Sequence, residues 1–137
     1  MQARNKKRRQ QPEQLLQKAV VYWLDVQRRL GRLSYFHVPN GGRRGKREAG
    51  ILQGMGVRPG VPDLVIMFPA AHVLFIEMKA TKGSLSPQQK LFHDELRRFG
   101  LNVHICRSLE EVITICSAFM PLNSPTPTQP PTERTTT

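Results

Sequence analysis

What is scarce in this chain narrows its function first. No apolar run reaches the ~18 residues that a membrane-spanning helix needs, and the charged, polar N-terminus lacks the apolar segment of a secretory signal. There are two cysteines, Cys106 and Cys116, each inside an apolar stretch (VHICR and VITICSAF). Thiols in such surroundings are expected to be buried and free, and no Cys/His spacing suits a structural zinc. A reducing, cytoplasmic compartment is the expectation. No internal repeat is present. Acids are also short: 10 Asp+Glu stand against 21 Lys+Arg, a formal net charge of +11. Such a surplus predicts an acidic partner, most often nucleic acid. A solubilising tail would account for Arg4, Lys6, Lys7, Arg8 and Arg9, but not for a second cluster of Arg43, Arg44, Lys46 and Arg47 among glycines. Charge alone does not separate DNA from RNA.

At 137 residues one domain with a modest core is favoured. Residues 1–11 are polar and basic and are expected to form a disordered arm until they meet a partner. Residues 121–137 are mostly Pro and Thr, bury too little to offset ordering entropy, and are expected to form a mobile tail. The folded part is then about 12–120. Pro12 followed by EQLLQKAVVYWLDVQRRL predicts a helix ending at Gly31, with Leu16, Val20, Trp23, Leu24 and Leu30 on its core face. SYFHV (34–38) is a short strand. Seven glycines between Pro39 and Gly60 predict a long loop, with one helical turn near Glu48–Gln53. DLVIMF (63–68) and HVLFIEMK (72–79) read as a hairpin of buried strands. Ser86-Pro87-Gln88-Gln89 has N-cap, first-turn Pro and capping-box Gln for a helix stopping at Gly100. NVHICR (102–107) is a further strand, and Ser108 with Glu111 caps a helix over 109–119. The order α-β-β-β-α-β-α predicts an α/β fold, a mixed sheet flanked by helices.

Two strands otherwise filled with apolar residues carry acids at one end. Asp63 opens the first, Glu77 closes the second, and Lys79 follows two residues on. Alternation puts Glu77 and Lys79 on one side of the sheet and Met78 on the other. Two carboxylates meeting there repel each other and lose hydration, and a divalent cation relieves both costs; oxygen-only donors suit Mg²⁺ or Mn²⁺. Lys79 is placed to position a water or to stabilise phosphate charge. The register is a test. A loop symmetric about Ala70–Ala71 pairs Asp63 with Met78, so that Asp63 faces the wrong way. An odd-numbered loop or a bulge instead sets Asp63 opposite Glu77 or Lys79. Glu13 shares a helical stripe with Gln17, Val20 and Leu24. It reads equally as a partner of a nearby metal or Lys79 and as a first-turn acid complementing the helix dipole.

With these residues in view, GVRPGVPDLVI, FIEMKATKGSLSPQQKLF and VHICRSLEEV resemble the VRR-NUC branch of the PD-(D/E)XK nucleases, with Pro62-Asp63 and Glu77-Met78-Lys79 as the bipartite motif. The resemblance spans about Glu13 to Ile115. It implies a restriction-endonuclease-like fold and a metal-dependent nuclease in which Asp63 and Glu77 bind Mg²⁺ or Mn²⁺ and Lys79 is catalytic. It also implies a first-helix acid at the active site, which selects that role for Glu13 as a catalytic residue and metal ligand. A Gln on the following helix matches Gln89, whose capping role stays equally adequate. Stand-alone relatives resemble Holliday junction resolvases, which implies a homodimer acting on branched DNA, with substrate choice set by dimerisation or partners.

Asn40, Arg43, Arg44, Lys46 and Arg47 lie on the glycine-rich segment with His37, where close phosphate approach is expected. Arg58 and Lys82 flank the acids and are candidates for the same role, and Arg107 falls on the same sheet edge if its strand runs parallel to 72–79. His72, His93 and His104 read as structural or surface residues, and Trp23 and the Phe residues as core. A less structure-selective nuclease of the same fold remains an alternative. So does a non-catalytic nucleic-acid-binding module, against which the intact acid and lysine set argues.

Overall fold

The computed structural model describes residues 3–39 and 45–120, with the side chains of 3–11 excepted. Four strands form one sheet in the order β1-β2-β3-β4: β1 (Ser34–His37), β2 (Leu64–Phe68), β3 (His72–Met78) and β4 (Asn102–Cys106). The first three form an antiparallel meander, and β4 lies parallel to β3. The parallel step needs a crossover, supplied by α3 (Pro87–Arg98). Helices α1 (Ala3–Arg29), α2 (Lys46–Gly54) and α4 (Leu109–Ser117) complete the chain. This is the α/β arrangement expected, with α2 grown from the single turn anticipated to nine residues.

Local signals account for most of these boundaries. Ser86 accepts a hydrogen bond from Gln89 N while Gln89 Oε1 accepts from Ser86 N, the reciprocal capping box, and Gly100 beyond the end of α3 takes φ 76°. Ser108 caps α4 in the same way, but Glu111 reaches one residue further back and accepts from Arg107 N at 2.7 Å. One boundary differs. The helix expected from Pro12 begins at Ala3, with Pro12 inside it, so the backbone expected to be a disordered arm continues α1 over residues 3–11. Ala, Lys, Arg and Gln in that stretch are strong helix formers, which outweighs the single amide that Pro12 removes.

The side of the sheet carrying Leu64, Ile66, Phe68, Leu74, Ile76 and Met78 packs against Val20 and Leu24 of α1 and Val112 and Cys116 of α4. Burial of this set is the main source of stability. Leu30, expected on the core face, is 46% exposed because α1 has already ended at Arg29. Tyr35 anchors β1 to α1 through a 2.7 Å hydrogen bond to Asp25. Cys106 and Cys116 are buried free thiols, and burial pushes each up to about 12. No helix among the described residues is long and apolar enough to cross a membrane.

Candidate active site

The hairpin turn decides which way the first acid faces. Phe68 pairs with His72, leaving the three residues Pro69, Ala70 and Ala71 between the strands, and Leu64 pairs with Ile76. One step further along this register Asp63 stands opposite Glu77, as an odd-numbered loop requires. The turn reaches this length by holding both Ala70 (φ 63°) and Ala71 (φ 62°) in the left-handed region. Asp63 Oδ2 then accepts a hydrogen bond from Met78 N at 2.8 Å, which locks the first acid to the strand bearing the second.

Glu77 is 2% exposed although it is a carboxylate. Its Oε1 accepts from Gln89 Nε2 at 2.8 Å and lies 3.8 Å from Lys79 Nζ. Its Oε2 is buried with no hydrogen-bond partner among the described residues. Burial first, and the neighbouring Asp63 charge second, push the Glu77 carboxyl up to about 8, against a smaller opposing pull from Lys79. Burial likewise raises Asp63, opposed by the Met78 amide and by the charges of His37 and Lys79. The pair is thus held together at an energetic cost that nothing among the described residues fully offsets.

Glu13 arrives from α1 and accepts from Ala80 N at 3.1 Å. Its charge adds to the upward push on Asp63, so it belongs to the same electrostatic neighbourhood. Yet among the described residues no group of three or more His, Cys, Asp or Glu is arranged to hold an ion. The three-acid set expected from the sequence is therefore brought together only in part: Asp63 and Glu77 face each other, and Glu13 holds the turn that follows Lys79. A Mg²⁺ or Mn²⁺ ion fits the facing pair. Both donors are hard oxygens, one carboxylate oxygen is buried without a partner, and Mg²⁺ is commonly held by one or two carboxylates completed by water and substrate phosphate.

Three residues take part through contacts that the sequence did not show. Arg107 Nη1 donates to the carbonyls of Ala80 and Gly83, both at 2.7 Å, so Arg107 braces the turn beside Lys79 from the end of β4. His37 Nδ1 lies 2.8 Å from the Asp63 carbonyl and 2.9 Å from Gln17 Nε2, and the ring tautomer chooses between them. His93 on α3, expected to be structural or at the surface, is fully buried with both ring nitrogens unpaired among the described residues, and burial lowers its pKa. Gln89 both closes the capping box of α3 and donates to Glu77 Oε1.

The expected DNA contacts divide. Asn40, Arg43 and Arg44 lie outside the described residues. Lys46 and Arg47, in the first turn of α2, and Lys82, after β3, are exposed and available. Arg58 is otherwise engaged: its Nη2 lies 2.6 Å from Glu95 Oε2 and its guanidinium sits 4.6 Å over the Phe92 ring. It lines a cavity of ≈ 340 Å³ that Asp63 and Gln89 also line.

Comparison with known proteins agrees with this fold. Two solved structures described as VRR-NUC domain proteins are similar to this chain, each at 22% identity. One has a TM-score of 0.55 over 79% of this chain and 97% of its own. The other has a TM-score of 0.58 over 78% and 86%. A search of curated proteins finds no match. The VRR-NUC domain family matches residues 6–110, more than half of the chain. The PD…ExK acids facing each other across a hairpin, on a mixed sheet shared with VRR-NUC structures, and this match together make the chain a member of the VRR-NUC family, with a nuclease-like domain.

Proposed function

We propose that this protein is a divalent-metal-dependent DNA endonuclease that hydrolyses phosphodiester bonds in branched DNA such as Holliday junctions, as a homodimer. The observation that carries the reading is the buried, facing Asp63–Glu77 pair with Glu77 Oε2 unpartnered and Lys79 alongside. Asp63 and Glu77 would hold Mg²⁺ or Mn²⁺, which when bound offsets the charge developing on the phosphate. Gln89 fixes Glu77 by the hydrogen bond to Oε1. Lys79, partly buried, keeps its ammonium at the rim of the acid pair, where it orients the attacking water and stabilises the phosphate. Glu13 and Arg107 hold the 80–83 turn against which the Lys79 stem lies. The net charge of +11 favours a polyanionic substrate. Leu15, Tyr22 and Val26, exposed along α1, offer an apolar strip for pairing two copies.

The test is Asp63→Ala and Lys79→Ala, assayed with Mg²⁺ or Mn²⁺ on four-way junction, flap and duplex DNA. Each is expected to lower cleavage by about 10²–10³-fold, the effect of losing one preorganised electrostatic group. Variants that cut as well as the parent would sink the enzyme assignment. Sizing the protein with and without a four-way junction tests the dimer.

A further inference from the structure

We propose that the cavity between α2, the 57–62 loop and the start of α3 receives an unpaired nucleobase adjoining the phosphate to be cut. This rests on the reading of the site as a DNA nuclease. At ≈ 340 Å³ the cavity lies within the range of small-molecule sites, and it opens directly onto Asp63 and Gln89. A group seated there is thus next to the reacting centre.

The chemistry of the walls selects the occupant. Leu52, Val57, Pro59 and Val61 supply apolar surface, while Gln53 and Ser86 supply groups able to hydrogen-bond to a base edge. A second phosphate is disfavoured. Among the described lining residues Arg58 is the single cation, and it is already paired with Glu95 at 2.6 Å. A planar, uncharged ring with polar edges suits all of these features.

The walls are also held in place. Gly60 takes φ +84°, and a Cβ there would lie 2.4 Å from the Gln88 carbonyl oxygen, so the loop backbone is pressed against the first turn of α3. The Arg58–Glu95 pair ties the same loop to the next turns of that helix. On the opposite wall, α2 has no buried residue, and Ile51 and Met55 are exposed beside the half-buried Leu52. Its apolar side chains are therefore not explained by the core, and a base in the cavity would cover Leu52 and Val57.

A base stacked in duplex DNA cannot enter a concave site beside its own backbone. It must rotate out, and this costs least where pairing is already broken. Branch points and flaps present such bases, so the cavity acts as the selector for broken duplex next to the cleavage point.

Three measurements decide it. First, an abasic nucleotide is placed on either side of the cut phosphate in a substrate that the parent protein cleaves. Removal of the base at one of these positions is expected to slow cleavage by about tenfold or more. Second, Ala49→Trp, which fills the cavity from a half-exposed position on α2, is expected to slow cleavage of the intact substrate to the abasic level, with no further loss on abasic DNA. Third, 2-aminopurine at that position is followed by fluorescence with the Lys79→Ala protein, whose slowed cleavage leaves the DNA largely intact during the measurement. No aromatic ring is among the described residues that line the cavity, so emission is expected to rise on binding, and not to rise when Ala49→Trp is added at equal DNA occupancy. Equal cleavage of abasic and intact DNA with unchanged 2-aminopurine emission overturns the proposal and leaves the nuclease reading standing. An abasic effect that Ala49→Trp does not reproduce also overturns it, because the base is then held elsewhere. A parent that cuts no DNA removes the nuclease reading, while the fluorescence of bound DNA still decides the cavity.

Discussion

Leu64, Ile66, Leu74 and Ile76 on one face of the sheet and Glu77 on the other are equally hidden from water, but the two faces are filled differently. The first face meets α1 and α4 through an apolar cluster to which Val20, Leu24, Val112 and Cys116 contribute. The second meets α3, and there Val65, Val103 and Leu96 share the space with Glu77 and His93. The buried side-chain atoms without a hydrogen-bond partner among the described residues, Glu77 Oε2 and both ring nitrogens of His93, all belong to the second face. One face supplies stability at no polar cost. The other gives up stability to hold a carboxylate where water does not neutralise it, a trade common at active sites.

The sharpest test of that contrast is Glu77→Gln. The amide keeps an acceptor for Gln89, offers a donor towards Asp63 and cannot ionise. Cleavage should fall by about 10²–10³-fold, while urea or thermal unfolding of the metal-free protein near pH 8 should show a gain of about 1–3 kcal/mol. Loss of both activity and stability would break the comparison. On the other face, Ile76→Ala should cost about 2–5 kcal/mol by cavity formation. Cleavage per folded molecule should persist, since the side chain points away from the acids.

A smaller effect is expected with pH. The Glu77 carboxyl is raised from the ordinary 4.5 to about 8, so the folded protein holds this proton more tightly than the unfolded chain. The associated stability is fully present below about 4.5 and is lost as pH rises through about 8. The metal-free protein should therefore melt at a lower temperature near pH 9 than near pH 6. Mn²⁺ or Mg²⁺, which favours the ionised pair, should raise the melting temperature more at the higher pH, and Glu77→Gln should weaken both trends. The smallest change is expected at the far end of the hairpin. Ala70 sits at φ 63°, ψ 31°, a conformation that glycine adopts freely. Ala70→Gly should gain about 0.5–1 kcal/mol after glycine's extra unfolded-state entropy is subtracted. Activity should be unchanged, which calorimetry and a cleavage assay would check together.

The sequence and the structure agree where the signal is local. Strand composition placed β2, β3 and β4 to within a residue or so, and the Ser86/Gln89 and Ser108/Glu111 pairs located two helix starts. The Asp63–Glu77–Lys79 grouping was legible because a hairpin forces the strand ends together. Whether Asp63 faced Glu77 was not, because Pro69-Ala70-Ala71 contains no glycine or asparagine to announce two left-handed residues. The engagement of Arg58 by Glu95, 37 residues away, and the bracing of the 80–83 turn by Arg107 depend on contacts that only the folded chain makes. His93 carried no sequence mark that distinguished it from a surface histidine.

Gln89 uses both ends of one amide: its oxygen closes the first turn of α3 and its nitrogen holds Glu77. A glutamate would cap the helix as well, but it would set another negative charge against the buried acid. Helix ends fray at far lower free energy than a domain unfolds. Each transient opening of that first turn therefore also releases Glu77 from its hydrogen bond. The acid pair is thereby coupled to the breathing of a helix end, so on heating its alignment should be lost well before the core of the domain melts.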